Sequence, residues 1–263
     1  LEPDDSALPV AILRYTIRSR APEPVEAALA FSLFNPIGKP TGYERVAAVR
    51  RALPDLGGNV NERITGSGYQ GILLRSEKIP PDNPRHGTLA LLTTAAEATW
   101  LARWDQGAWY DDMHKWWDEF AAGGRFADPN IGGPSKDGFS DLCTLAPRFT
   151  VPPGGAVQVT FLLAWHFPII ENYWNRESEY RGKRLRPRYA ERFADARAVA
   201  EYTLENLGRL EGLTRRFHDA FFGSTLPAAV LDAASSQASI LRTTTCLYLE
   251  GRAFHAFEGS DDA

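Results

Sequence analysis

The feature that most constrains this chain is a change of hydrophobic period between residues 157 and 222. The stretch opens VQVTFLLAWHFP, apolar and rich in β-branched and aromatic residues, which predicts a buried strand ending at Pro168. A polar, aromatic crossing follows, ENYWNRESEYRGKRLR. Beyond it, Tyr189, Phe193, Ala196, Ala200, Thr203, Leu207, Leu210, Thr214, Phe217 and Phe221 recur at alternating steps of four and three. That spacing puts them on one face of a single long helix. Pro187 falls where a first turn tolerates proline, and Gly223 follows the last apolar residue, where a left-handed cap suits glycine. The expected division is therefore a β domain over 1–168, a linker over 169–187 and a helical segment over 188–263.

Upstream of the change the chain reads as all-β. VAILRYTIRS, VEAALAFSLFN, YQGILLRSE, GTLALLTT and ATWLARWD are strand-like runs. Their separators, among them NPIGKPTG, DLGGNVNERITGSG and PPDNPRHG, are dense in Gly, Pro, Asn and Asp. APRFTVPPGGAVQVTFLLAW predicts a last hairpin turning at PPGG. Many short strands so punctuated predict an antiparallel β-sandwich.

One helical pattern interrupts the strands. Trp109, Met113, Trp116, Trp117 and Phe120 in WYDDMHKWWDEFAAGGRF recur at helical spacing, and the helix is expected to end at Gly123 and Gly124. Five of the seven tryptophans lie in residues 100–126. Aromatic faces suit sugar C–H surfaces, so a carbohydrate-stacking platform is one reading; packing of the helix on the sheet is the favoured one. Asp111, Asp112, His114 and Asp118 could form a metal site, with His114 and Asp118 one turn apart, but the spacing supplies no further ligands and predicts an exposed polar face instead. His166, in AWHFP, is expected to be a buried, hydrogen-bonded histidine, or else to line a domain contact.

After residue 222, GSTLPAAVLDAASSQASILRTTT predicts another helix, with Ser224 or Thr225 as cap, Pro227 in its first turn and an apolar face of Val230, Leu231, Ala234, Ala238 and Leu241. CLYLEGRAFHAFEG then reads as a hairpin turning at Glu250 and Gly251. It carries Glu258 out of an apolar strand and onto Gly259, a place that suits a catalytic carboxylate or a plain loop residue.

The net charge of −4, from 29 Lys and Arg against 33 Asp and Glu, gives a nucleic-acid or anionic-membrane partner no electrostatic support. The longest apolar run, around FLLAW, is too short for a transmembrane segment. Cys143 and Cys246 show neither metal spacing nor a disulfide framework and are expected as reduced thiols. The chain opens on Leu1, shows no signal-peptide pattern and stops at EGSDDA, so a fragment of a cytoplasmic protein is expected.

Several segments carry a family resemblance. FSLFNPIG, WHFP with the following NYW, RYAERFADA, FHDAFFGSTLPAAVLDAASSQASILRTTTCLYLEGRAF and FEG resemble glycoside hydrolase family 116, the retaining β-glucosidases that include non-lysosomal glucosylceramidase. The resemblance implies a β-sandwich over 1–168, followed by the opening helices of an (α/α)6 catalytic barrel. It implies that Glu258, in GRAFHAFEG, is the catalytic nucleophile. The Glu-Tyr pair that follows in glucosylceramidase-like members is replaced here by SDDA. The acid/base aspartate is expected in later barrel helices, outside this chain. The implied substrate of the intact enzyme is a β-glucoside or glucosylceramide, its partner is the remainder of the barrel, and carboxylate chemistry requires no cofactor. A rival of another class is a stand-alone carbohydrate-binding or interaction module using the tryptophan cluster.

Overall fold

The computed structural model describes residues 2–39, 56–105, 111–127, 133–172, 174, 175, 177, 179–243 and 245–256, without the side chains of Asp111, Asp112 and Arg242. In chain order the elements are α1 (Pro3–Ser6), β1 (Val10–Arg18), β2 (Val25–Ala28), β3 (Phe31–Phe34), β4 (Asn59–Gly66), β5 (Tyr69–Ser76), β6 (Thr88–Thr93), β7 (Glu97–Leu101), α2 (Asp111–Gly123), β8 (Leu142–Val151) and β9 (Ala156–His166). Then follow β10 (Ile170–Glu171), β11 (Arg184–Leu185), α3 (Arg188–Arg192), α4 (Ala196–Glu205), α5 (Leu207–Phe222), α6 (Ala228–Gln237), β12 (Cys246–Tyr248) and β13 (Phe254–Ala256).

Two antiparallel sheets face each other in the manner of a β-sandwich. One has the order β1-β9-β6-β5-β4; the other is β2-β8-β3 with β7 along the opposite edge of β8. Ile72, Leu74, Leu89, Leu91, Val159 and Phe161 from the first sheet meet Cys143 and Leu145 of β8 in the central core. The alternate residues of the same strands, Ala90, Leu92, Leu162 and Ala164, point to the other face and bury Ala196, Val199 and Ala200 of α4. Both faces of β6 and β9 are thus covered, which is why LALL and FLLAW read as continuous apolar runs. The small residues of α4 let its axis approach the sheet closely, and burial of Val199 alone contributes on the order of 1.5–3 kcal/mol. Across the molecule, α2 covers the outer face of the second sheet through Trp116 and Phe120, against Leu101, Trp104, Phe126 and Ala146.

Within residues 1–168 the predicted strands are present, with one split and one addition, and the expected linker holds the short pair β10 and β11. VEAALAFSLFN forms β2 and β3, which continue in a single register along β8, Ala28 opposite Arg148 and Phe31 opposite Leu145. The interruption faces Pro147, which has no N–H to give the ladder. NVNERITG, read as part of a separator, is instead the edge strand β4, paired with β5 from Asn59 to Gly66. Its Asn59 and Ile64 are buried while Glu62, Arg63 and Thr65 are exposed, the polar character that an exposed sheet edge favours. The predicted PPGG turn joins β8 to β9, with Gly155 N–H on the Pro152 carbonyl at 3.0 Å and Gly154 at φ +60°.

The single long helix expected from 188 is three helices. Phe193 is extended (φ −127°, ψ 144°), and Asp195 then caps α4 through a 2.8 Å bond from Ala198 N–H. Asn206 (φ −104°, ψ 8°) breaks the chain again before α5. The apolar phase survives the first break, so Phe193, Ala196, Ala200 and Thr203 still turn inward, but no residue of α5 is buried. Pro187 and Pro227 are the N-cap residues of α3 and α6 rather than first-turn residues, and α6 has no side-chain cap from Ser224 or Thr225. Gly223, at φ −83°, is not a left-handed cap; Gly124, at φ +61°, is, with its N–H on the Phe120 carbonyl at 2.7 Å. On α6 only Leu231 of the expected apolar face is buried. No helix among the described residues is long and apolar enough to cross a membrane.

Candidate functional site

Glu258 lies outside the described residues, which follow its hairpin as far as Ala256. β12 and β13 pair Cys246 with Ala256, Leu247 with His255 and Tyr248 with Phe254. The turn is where the sequence places it. Gly251 and Arg252 both have φ +64°, and Ala253 N–H meets the Glu250 carbonyl at 3.3 Å. Two successive left-handed residues match the twist of antiparallel strands. Glycine enters that conformation freely, whereas an arginine there costs roughly 1–2 kcal/mol.

The base of the hairpin is fastened to the start of the helical segment. Leu249 is buried and forms an antiparallel bridge with Pro187. Glu250 N–H reaches the Arg186 carbonyl at 2.9 Å, and Gly251 N–H reaches Glu191 Oε2 at 3.3 Å. From the other end of the chain, Asp4 accepts from Tyr248 Oη and Arg252 Nη2, both at 3.2 Å, and from Arg188 Nε at 3.0 Å. Its neighbour Asp5 accepts from Arg209 Nη1 at 2.6 Å and Tyr202 Oη at 2.8 Å.

Both carboxyls are held below the usual carboxylate range, Asp4 chiefly by the hydrogen bond from Arg188 and Asp5 chiefly by that from Arg209. They are ionised acceptors at neutral pH and serve to join elements. Pro3 opens their helical turn where a missing N–H costs nothing, a turn that the all-β reading of residues 1–168 passed over. Their partners lie about two hundred residues further along, so sequence reasoning missed both aspartates.

The tryptophan cluster is largely core. Trp104 and Trp116 stack at 5.3 Å between centroids, and their indole N–H groups both donate to Thr144 Oγ1, at 2.8 and 2.9 Å. Those two bonds occupy the hydroxyl's lone pairs, so its proton goes to Ser32 Oγ at 2.8 Å. Arg63 lies 3.6 Å above the Trp100 ring. Trp117, 57% exposed, faces solvent, and Trp109 lies outside the described residues. His114 and Asp118 form an exposed pair at 3.3 Å; the side chains of Asp111 and Asp112 are outside the described set. Among the described residues no three His, Cys, Asp or Glu side chains gather as metal ligands would.

His166 is buried where β9 meets the helices. Its Nε2 is 3.0 Å from the Phe193 carbonyl, so that nitrogen carries the proton, and burial pushes its pKa down. Tyr189 packs edge-on against the imidazole and donates to the Phe167 carbonyl at 2.8 Å. The expectation of a buried, hydrogen-bonded histidine therefore describes it. Cys143 is buried, its thiol pushed up to about 12 by desolvation, and Cys246 is half-buried; neither forms a disulfide.

Two open grooves flank α4. One, of about 480 Å³, runs between α1, β1 and α5, lined by Leu8, Val10, Ile12, Leu210, Leu213 and Phe217 with Asp5 at its rim. The other, of about 450 Å³, lies beside the β4–β5 turn with Tyr69, Glu201 and Glu205. Glu201 accepts from Tyr69 Oη at 2.6 Å and Arg197 Nε at 3.0 Å, which hold it ionised.

No curated protein matches the chain. Residues 1–210 match the family described as "beta-glucosidase 2, glycosyl-hydrolase family 116 N-term". That match takes in the whole sandwich, α3, α4 and the first residues of α5, well over half of the sequence, and the chain belongs to glycoside hydrolase family 116, of which it carries the N-terminal region.

Proposed function

We propose that this chain is the supporting part of a retaining β-glucosidase of the glucosylceramidase type. In this reading residues 1–168 are the non-catalytic sandwich, 169–187 the linker and 188–263 the opening of an (α/α)6 barrel, of which the rest lies in the intact enzyme. The observation that carries the reading is the family match over residues 1–210, which supports glycoside hydrolysis as the chemistry. Retention needs two carboxyl groups about 5–5.5 Å apart, one attacking the anomeric carbon and one protonating the leaving oxygen. Glu258 is the nucleophile, and an aspartate from later barrel helices is the acid. Water then hydrolyses the glycosyl-enzyme, with that aspartate acting as base. The substrate is a β-glucoside or glucosylceramide, and the two carboxyls supply all the chemistry required.

The test is kinetic. In the intact enzyme Glu258→Gln keeps the side chain's size and removes the attacking charge, so kcat should fall by about three orders of magnitude or more. Retention of more than about a tenth of the parent kcat would remove Glu258 from the role. The 263-residue chain by itself, with one of the two carboxyls, should not hydrolyse an aryl β-glucoside above buffer.

A further inference from the structure

The hairpin leading to Glu258 does not hold itself in place. Among the described residues it has three residue pairs, an isolated two-stranded hairpin is marginally stable at best in water, and Phe254, His255 and Ala256 are all exposed. Its position is therefore set by what grips its base. Three of those anchors come from the chain just before and within α3: the Pro187 bridge, the Arg186 carbonyl and Glu191. The fourth, Asp4, comes from the N-terminal turn and touches both sides of the hairpin turn, Tyr248 before it and Arg252 after it. Arg252 occupies a backbone conformation that suits glycine, at φ +64°, and its guanidinium lies on Asp4 Oδ2.

We propose that Asp4 is a positioning residue for the nucleophile: by clasping Tyr248 and Arg252 while braced on Arg188, it sets where β13, two residues before Glu258 in the sequence, lies against the fold. The proposal rests on Glu258 being the nucleophile. Asp5 supplies an internal contrast, because it grips Tyr202 and Arg209 on α4 and α5, whereas the hairpin contacts belong to Asp4.

The test has two arms. In the 263-residue chain, Asp4→Asn should speed amide exchange across residues 246–256 by about tenfold, while Asp5→Asn leaves those amides unchanged. Arg252→Gly relieves the local backbone and removes the contact; a purely local role for Arg252 predicts a hairpin as protected as before, and the clasp predicts faster exchange. In the intact enzyme, Asp4→Asn should lower kcat about tenfold with KM unchanged, and adding Arg252→Gly should cost little more, because both remove the same contact. Asp5→Asn should leave kcat unchanged. Unaltered hairpin exchange in Asp4→Asn and Arg252→Gly would overturn the clasp. Unaltered kcat in Asp4→Asn, in an enzyme that Glu258→Gln inactivates, would overturn the positioning role. An active Glu258→Gln enzyme would instead sink the nucleophile assignment, and the exchange arm would still decide whether Asp4 holds the hairpin.

Discussion

Thr144 concentrates more structure on one hydroxyl than its residue type suggests. Replaced by the near-isosteric valine, it would leave the indole N–H groups of Trp104 and Trp116 and the hydroxyl of Ser32 without their partner. Thr144→Val should therefore cost roughly 2–4 kcal/mol in urea unfolding, while Thr144→Ser, which keeps the oxygen, should cost much less. The helical spacing predicted that Trp116 packs inward; nothing in the sequence names a threonine almost thirty residues away as its acceptor. His166 was legible as a buried, bonded histidine from its place in an apolar strand. Burial lowers its pKa from the ordinary 6.5, reinforced by the positive charge of Arg186 and by His86 and opposed by the bond to Phe193 and by Asp195. The unfolded chain then binds more protons below that value, so the contribution of neutral His166 is complete above pH 6.5 and is lost as pH falls. Glutamine can give the same bond to the Phe193 carbonyl, so His166→Gln should flatten the fall in melting temperature between about pH 7.5 and 5.5. Asp4 and Asp5, with lowered values, act in a more acid window: their contribution is present above the ordinary carboxylate range and fades as pH drops through their folded values.

At the scale of the element, strands buried on both faces were the easiest to read, because β6 and β9 leave an unbroken apolar run. The edge strand β4 escaped because one polar face makes NVNERITG look like a loop. The long helix was overread for a related reason: apolar phase carries across the extended Phe193, and only Asp195, a capping residue inside FADARA, marks the restart. Asp195→Ala should cost about 1 kcal/mol and fray the first turn of α4, measurable by amide exchange at Ala198. Gly71 is an element-level requirement of another kind. A Cβ there would lie 2.2 Å from the Leu91 carbonyl oxygen in the neighbouring strand, so Gly71→Ala should push β5 from β6 and lower the midpoint of unfolding markedly.

For the whole molecule, the sandwich and the turn to helices followed from hydrophobic period, whereas the joint between them did not. That joint is made by side chains far apart in sequence, with Asp4 and Asp5 on arginines 188, 209 and 252. Beyond it the helices are underpacked. Phe217 is 69% exposed and Leu241 63%, with Phe222, Leu226, Val230 and Ile240 also facing solvent. Under the proposed function the remaining barrel helices cover this surface. The 263-residue chain should accordingly bind a hydrophobic dye, and Phe217→Ser with Leu241→Ser should reduce that binding without lowering the stability of the sandwich. The central claim is that the hairpin braced by this fold delivers the nucleophile of a retaining glycosidase. Its most direct measurement is mass spectrometry of the intact enzyme after reaction with a 2-deoxy-2-fluoroglucoside bearing a good leaving group, which accumulates the covalent glycosyl-enzyme. The account predicts one modified peptide, containing GRAFHAFEG with the sugar on Glu258; a label on any other residue, or an enzyme that turns over substrate yet never acquires one, would contradict it.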